Sequence, residues 1–415
     1  MAEAEAKVPR FAALRHKNFT LLWTGLIVSN IGTWMQNVAQ GWLVLQLTNS
    51  PLWLGLLGLS FALPMIIFPF FGGVVVDRIH RIRLLYITQT GMMLTAFVLA
   101  ALTWMNLITV HYILIASFIQ ASFLAFDNPA RQALVPDLVP SGDLLSALSL
   151  NSATYTGAAL VGPAIAGALL GPLGAGSLFF LNGVSYLSVM FALISMKDVK
   201  THSGGKRVSL SQSALTGLKY AWHTRFILAL LMLSTLASLF GRSYQNLLPI
   251  FARDIWNSGT QGYGFLLSAG GGGALLGALG LASLRDIKRY GAIMIISGFI
   301  FSLSVILFAL SPSLIMGIIF QLSGGIAATV YGTIIATFIQ VAVPNELRGR
   351  IISLYTITLI GIPSLGALGS GAFAEILGGI QGAPRAVLIG GLVVGIVLIF
   401  VGPLFWRREI DSTNM

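Results

Sequence analysis

The chemistry open to this 415-residue chain is set by what it lacks as much as by what it holds. With no cysteine it has no thiol nucleophile, thiolate metal site or disulfide. Its five histidines (His16, His80, His111, His202, His223) show no metal-ligand spacing, and no Ser/His/Asp cluster or carboxylate pair stands out. The run Gly270-Gly271-Gly272-Gly273, with Gly277 beyond it, is followed by no Lys-Ser or Lys-Thr and reads as a packing face rather than a phosphate loop. No cofactor, metal or enzymatic activity is therefore expected. What remains is a small set of polar residues inside apolar surroundings: Asp127, Arg242 and Glu375, with the amide-rich group Asn30, Thr33, Gln36, Asn37 and Gln40 interleaved with Trp34 and Trp42. Asn151, Tyr155, Asn182, Tyr186, Tyr244, Gln245 and Asn246 extend the set. Such groups in hydrocarbon turn to a neighbouring helix or to a wet cavity. Their chemistry is noncovalent binding and proton handling.

The elements that carry them follow from composition. Hydrophobic residues make up 56% of the chain and charged ones 9%, against about 25% charged in a soluble domain. A water-exposed surface cannot be built from so few charges, so the chain is read as a polytopic membrane protein. Twelve apolar runs fall at roughly 19–47, 51–75, 84–105, 110–130, 144–171, 173–196, 226–250, 261–284, 291–310, 313–342, 351–378 and 386–405. The net charge of +11 is distributed by topology. Twenty-one Lys and Arg lie in the N-terminal arm, the junctions after even-numbered runs and the tail; Arg253 and Arg385 lie on the other side, and Arg242 is inside a span. The positive-inside rule then places both termini in the cytoplasm and leaves no call for nucleic acid as a partner. The first apolar segment is too long for a signal-peptide core, so no leader is expected to be removed. Residues 1–18 read as an arm, 19–196 as six spans, 197–225 as a cytoplasmic linker, 226–405 as six more spans and 406–415 as a tail. Within the linker, Leu210, Ala214, Leu218, Ala221 and Trp222 share one helical face, which suits a surface-lying helix.

The two sets of six spans are related. Val135-Pro136-Asp137-Leu138, then Leu145-Ser146-Ala147-Leu148, follows span four; Val343-Pro344-Asn345-Glu346, then Ile351-Ile352-Ser353-Leu354, follows span ten. Gly162-Pro163 with Gly167 in span five is matched by Gly361-Ile362-Pro363 with Gly366 in span eleven. Paired bundles of this kind enclose a midplane site and work by rocking.

Between spans two and three stands Gly72-Gly73-Val74-Val75-Val76-Asp77-Arg78-Ile79-His80-Arg81-Ile82-Arg83. This resembles the signature loop of the major facilitator superfamily, with His80 where a second Gly is usual. Gly32-Thr33-Trp34-Met35-Gln36, Asn128-Pro129-Ala130-Arg131-Gln132-Ala133 and Leu150-Asn151-Ser152 are similar to one bacterial branch, the transmembrane secretion effectors, related to the enterobactin exporter and to proton-coupled drug exporters. The resemblance implies an all-α major facilitator fold of twelve transmembrane helices in two pseudo-symmetric six-helix bundles. It implies a monomer in the bacterial inner membrane, surrounded by lipid, that exports an amphipathic small molecule against protons. Gly73, Asp77, Arg78 and Arg81 would then close the cytoplasmic gate. Gly162 and Pro163 resemble part of an antiporter motif; they read equally as a packing and kinking device.

Alternatives stay open at three points. Asp127 reads as a proton carrier or as a partner of Arg78, Arg81 or Arg131, and Glu375 is a second proton-coupling candidate. Arg242 faces an anionic or polar substrate, or snorkels outward or pairs with Glu375. The substrate is a drug, siderophore or other metabolite, or a lysophospholipid moved by a flippase. Asp77→Asn is expected to impair turnover while leaving ligand binding largely intact in a transport and binding assay; normal transport would remove Asp77 from the gate.

Overall fold

The computed structural model describes residues 11–68, 79–196, 210–284 and 289–406, and among them there is no strand. Helix α1 (Lys17–Thr48) ends where Asn49 takes the left-handed conformation (φ 49°), and Pro51 at the first helical position starts α2 (Pro51–Ile67) two residues later. α3 (Arg81–Trp104) and α4 (Val110–Leu138) follow. α5 (Leu144–Ser195) comprises two helices joined by a break at Gly174 and supplies spans five and six. The sequence places the turn between them at Gly171-Pro172; the chain reverses at Gly174, where φ is 75°. Proline's fixed φ suits a helix start, whereas only a residue without Cβ takes this positive φ cheaply.

A short helix α6 (Leu210–His223) leads into α7, the helical run Arg225–Ile255. Within it the backbone is α-helical to Leu236, π-helical over Ala237–Arg242, 3-10 over Ser243–Leu247 and π-helical again over Phe251–Ile255. α8 (Gly259–Ser283), α9 (Tyr290–Ala309), α10 (Leu314–Ala342), α11 (Asn345–Ile376) and α12 (Ala383–Val401) complete the second half. Nine helical runs among the described residues are long and apolar enough to cross a membrane, and one of them, Ser141–Ser195, crosses twice. α1 is long enough but too rich in amides to meet the hydropathy criterion, and α2 is apolar but is described for only 17 residues. Together these give the twelve expected crossings. Large apolar side chains such as Val98, Ile115, Phe191, Ile319 and Phe400 face outward, as a lipid-facing surface requires.

Four helices join the halves in two equivalent pairs. α5 packs along α8, and α2 packs along α11; the repeat exchanges one pair for the other. Each pair is closest at a glycine couple. A Cβ on Gly264 would lie 2.5 Å from the Pro163 carbonyl oxygen and 2.8 Å from Gly167 Cα. A Cβ on Gly371 would lie 2.5 Å from the Pro51 carbonyl oxygen and 3.3 Å from Gly55 Cα. Both couples sit toward the end that carries the short junctions, so the halves are tightly drawn together there. The glycine run of α8 serves the same purpose: a Cβ on Gly271 would meet the Ala159 carbonyl oxygen of α5 at 2.6 Å, and Gly273 and Gly277 face α10.

α6 lies against α11, with Gly217 beside Arg350 and Ala221 buried. Leu218 and Trp222, one turn apart, stay exposed, the arrangement of a helix resting on the membrane surface.

Candidate functional site

Within the first half, the amides of α1 meet those of neighbouring helices in a closed network. Gln36 donates to Gln120 Oε1 of α4, and Asn182 Nδ2 of α5 donates to Gln36 Oε1 at 2.7 Å. Gln120 Nε2 and Thr33 Oγ1 each lie 3.3 Å from the Tyr186 hydroxyl, and Ser185 Oγ donates to the Asn182 carbonyl at 2.7 Å. Gln36, Asn182 and Tyr186 are fully buried. These groups satisfy one another and fix the packing of three helices. Gln120 has no mark in the sequence, because a lone glutamine inside an apolar run shows its partner only once helices are placed.

One turn away the remaining amides face a space between the halves. A cavity of about 210 Å³ is lined by Trp34, Asn37 and Gln40 of α1, Phe61 of α2, Ser117 of α4, Gln245 and Asn246 of α7, Tyr263 of α8 and Ser364 of α11. Trp42 and Tyr263 stack across the halves with ring centroids 6.2 Å apart. Gln40 Nε2 is buried and has no hydrogen-bond partner, a donor left for whatever occupies the space. Asn30 and Asn151 are half-buried outside this lining, and Tyr155 is 62% exposed with its ring 6.3 Å from Trp34. The site thus offers aromatic faces and uncharged amides, which suits an amphipathic guest.

At the short-junction end, the second half grips the α1–α2 hairpin of the first by its two helix ends. Arg253 donates from Nη1 to the Leu45 carbonyl at 3.0 Å and from Nη2 to Asn49 Oδ1 at 2.8 Å, a cation at the C-terminus of α1. Glu375 Oε2 accepts from Ser50 Oγ at 2.7 Å and from the Leu52 N–H at 3.4 Å, an anion at the N-terminus of α2. Both signs match the helix dipoles, each contact being worth ~0.3–1 kcal/mol at an exposed site. Thr260 Oγ1 adds a bond to the Gly167 carbonyl at 3.0 Å.

At the other end, Asp127 is wholly buried. It accepts from Arg131 at 2.5 Å, from Thr88 Oγ1 at 2.8 Å and from Gln89 Nε2 at 2.8 Å. Arg81 donates to Asp137 and, at 2.8 Å, to the Ala133 carbonyl, and His16 meets Asp143 at 2.7 Å.

Of the partners expected for Asp127, Arg131 is the one it meets. Other expectations are corrected: Arg81 takes Asp137 one helix turn beyond Ala133, because the start of α3 lies beside the last turns of α4. Glu375 is exposed and meets neither Arg242 nor a central site, because the end of α11 projects over α2. Tyr244 is buried with its hydroxyl donated to Gln321 Oε1 of α10, away from the cavity lining. Gly162 receives Trp34, its Cβ position 2.6 Å from Trp34 Cβ, and Pro163 lends its carbonyl to the α8 approach, contacts that agree with the packing reading of this motif. Gly73, Asp77 and Arg78 lie outside the described residues.

Comparison with known proteins completes the picture. A family model described as transmembrane secretion effector matches residues 8–414. The chain is 25% identical over 353 residues to the staphyloferrin A transporter of Staphylococcus aureus, spanning 84% of this chain and 87% of that one. It is 24% identical over 407 residues to the multidrug efflux pump Tap of Mycolicibacterium fortuitum (95% and 97%), and 25% identical over 391 residues to the enterobactin exporter of Shigella boydii (93% and 92%). In structure it is similar to the nucleoside transporter NupG, with a TM-score of 0.79 at 15% identity over 94% of this chain and 100% of that one.

The absence of cysteine makes the grip on the hairpin testable. With Gln245→Cys as reporter, Arg253→Ala and Glu375→Gln are each expected to raise severalfold the rate at which a membrane-impermeant maleimide reaches the cavity from the short-junction side. Unchanged rates would show that these contacts do not hold that end closed.

Proposed function

The chain belongs to the transmembrane secretion effector family of the major facilitator superfamily, and from that premise we propose that this membrane transporter exports an amphipathic small molecule by proton-coupled alternating access. The observation that carries this reading is the cavity shared by both halves, lined by aromatic rings and amides and sealed at one end by Arg253 and Glu375. Two of the relatives are an enterobactin exporter and a multidrug efflux pump, which favours outward movement and a guest with both polar and apolar parts. The basic end is the cytoplasmic one in this reading, so the sealed end faces outward and the cavity loads from inside.

Proton coupling is assigned to Asp127. Among the described residues it is the one acid wholly buried inside a span, and it is tied to a cation one turn away on its own helix. Protonation would remove the negative charge that holds Arg131, changing the charge balance at the basic end of the first half. One proton returning through ~150 mV of driving force supplies about 3.5 kcal/mol, enough for a gradient of roughly 300-fold in a neutral solute. One proton suffices.

A second reading, movement of a lysophospholipid or other lipid, has one observation in its favour. An apolar groove of about 520 Å³ opens on the lipid-facing side between α9 and α12, lined by Ile295, Phe299, Leu398, Ile399 and Trp406, a shape that accepts an acyl chain.

Lumenal pH in proteoliposomes under an imposed pH gradient separates the two. Titration with dyes, antibiotics, siderophores and lysolipids is expected to release proton flux with one compound class, and Asp127→Asn to abolish the flux. Absence of flux with every compound, alongside movement of a labelled lipid, would replace the export reading with the flippase.

A further inference from the structure

Arg242 stands at the seam where α7 passes from π-helix to 3-10 helix, just past the middle of its span. A cation at bilayer depth costs ~2.5–3.5 kcal/mol on insertion scales, and even toward the span ends Arg131 pairs with Asp127, Arg81 with Asp137 and Arg253 with Asp254. Arg242 has no ion pair and no hydrogen bond among the described residues. The groups within its electrostatic reach are two uncharged phenols, Tyr244 on its own helix and Tyr355 on α11. The hydroxyl of Tyr355 is already donated to the Gly332 carbonyl at 2.6 Å, and that of Tyr244 to Gln321 Oε1.

That last bond fixes the Gln321 amide so that its Nε2 is left over. Gln321 is 2% exposed and its Nε2 has no partner; it points toward Gly270 of α8, lying 3.5 Å from where a Cβ there would stand. Tyr331, 5% exposed and within electrostatic reach of Tyr355, likewise has a hydroxyl without a partner. Among the described residues the second half therefore holds an unpaired cation and three buried donors without a partner, Ser268 Oγ being the third. Of these groups Arg242 is the one beside the central cavity, three residues before Gln245 on α7. In a 3-10 segment residues three apart eclipse one another, so Arg242 shares a face with Gln245, which lines the cavity.

We propose that Arg242 forms an oxyanion-binding subsite at the edge of the cavity, and that the transported compound is an anionic amphiphile. Its carboxylate, sulfonate or phenolate seats on the guanidinium while its uncharged body lies among Trp34, Asn37, Gln40 and Tyr263. A planar guanidinium presents paired donors to such a group. This subsite rests on the transport reading above, but binding at it requires no gradient and can be measured apart from coupling.

The test is equilibrium binding of two rigid dyes of similar size, anionic fluorescein and cationic rhodamine 6G, to the full chain in phosphatidylcholine nanodiscs. Wild type is expected to bind fluorescein more tightly than rhodamine 6G. Arg242→Ala is expected to weaken fluorescein by at least about tenfold, or about 1.4 kcal/mol, with rhodamine 6G changed less than about twofold and Arg242→Lys intermediate. Displacement of fluorescein from wild type by benzoate and benzenesulfonate, but not by benzylamine, reads the same preference without any variant. Equal losses for both dyes, an unchanged fluorescein affinity in Arg242→Ala, or a wild type with no preference for the anion would each overturn the subsite. Charge-selective binding without proton-driven flux would retain the subsite and remove the coupling; coupled flux with charge-blind binding would do the reverse.

Discussion

In lipid, apolar side chains gain nothing by leaving the hydrocarbon for one another, so helices associate through close packing and through polar contacts that find partners. That constraint governs how the two halves of this protein meet. Where α5 crosses α8 and α2 crosses α11, the backbones come so near that Gly167 opposes Gly264 and Gly55 opposes Gly371. The pseudo-symmetry of the repeat is visible in these couples as an exchange of one for the other. Contacts of this kind are short-ranged and do not interlock large side chains, so they define a place about which the halves can turn. The Arg253 and Glu375 contacts lie beyond that place, at the end of the molecule, where weak, solvent-exposed bonds can form and break.

The same constraint sorts the polar residues. An amide surrounded by apolar chains must be satisfied within the protein, and Gln36, Asn182, Gln120 and Tyr186 achieve this with each other, joining three helices of the first half. Asn37 and Gln40, neighbours of Gln36 on α1, reach the space between halves instead. A step of one residue (Asn37) or one turn (Gln40) along the helix thus separates a structural amide from a cavity amide. In the second half, Gln321 and Tyr331 keep donor capacity that no described residue uses, and Arg242 is a cation without an ion pair among the described residues. The two halves share an architecture but carry unlike polar content, which is how a symmetric scaffold can hold an asymmetric guest.

The spans, their ends and the duplication were legible in the sequence because each leaves a local trace: an apolar run, a proline or asparagine stop, a repeated dipeptide. The packing role of the α8 glycines was legible for the same reason. Partnerships were not. Arg81 takes Asp137 rather than Asp127, and Glu375 caps α2 from more than three hundred residues away; neither pairing follows any spacing rule. The turn falls at Gly174, two residues past Gly171-Pro172, because the positive φ of the break needs a residue without Cβ. Gln120, Gln321, Tyr331 and Tyr263 were overlooked because a single polar residue in an apolar run carries no pattern. Most of the loop from Gly72 to Arg83, the sharpest signal in the sequence, lies outside the described residues.

The central claim is that the halves rock about the shared cavity and that the Arg253 and Glu375 contacts hold one extreme of the motion. Pulsed electron-spin distances measure this most directly, and the chain needs no cysteine removed first. Spin labels at Gln46→Cys and Gln261→Cys span the short-junction end; a second pair at Ser141→Cys and Asn345→Cys spans the basic end. In the double variant Arg253→Ala, Glu375→Gln, the first distance should lengthen and the second shorten. Distances that stay fixed at both ends, or change in the same direction, would contradict a rocking transporter.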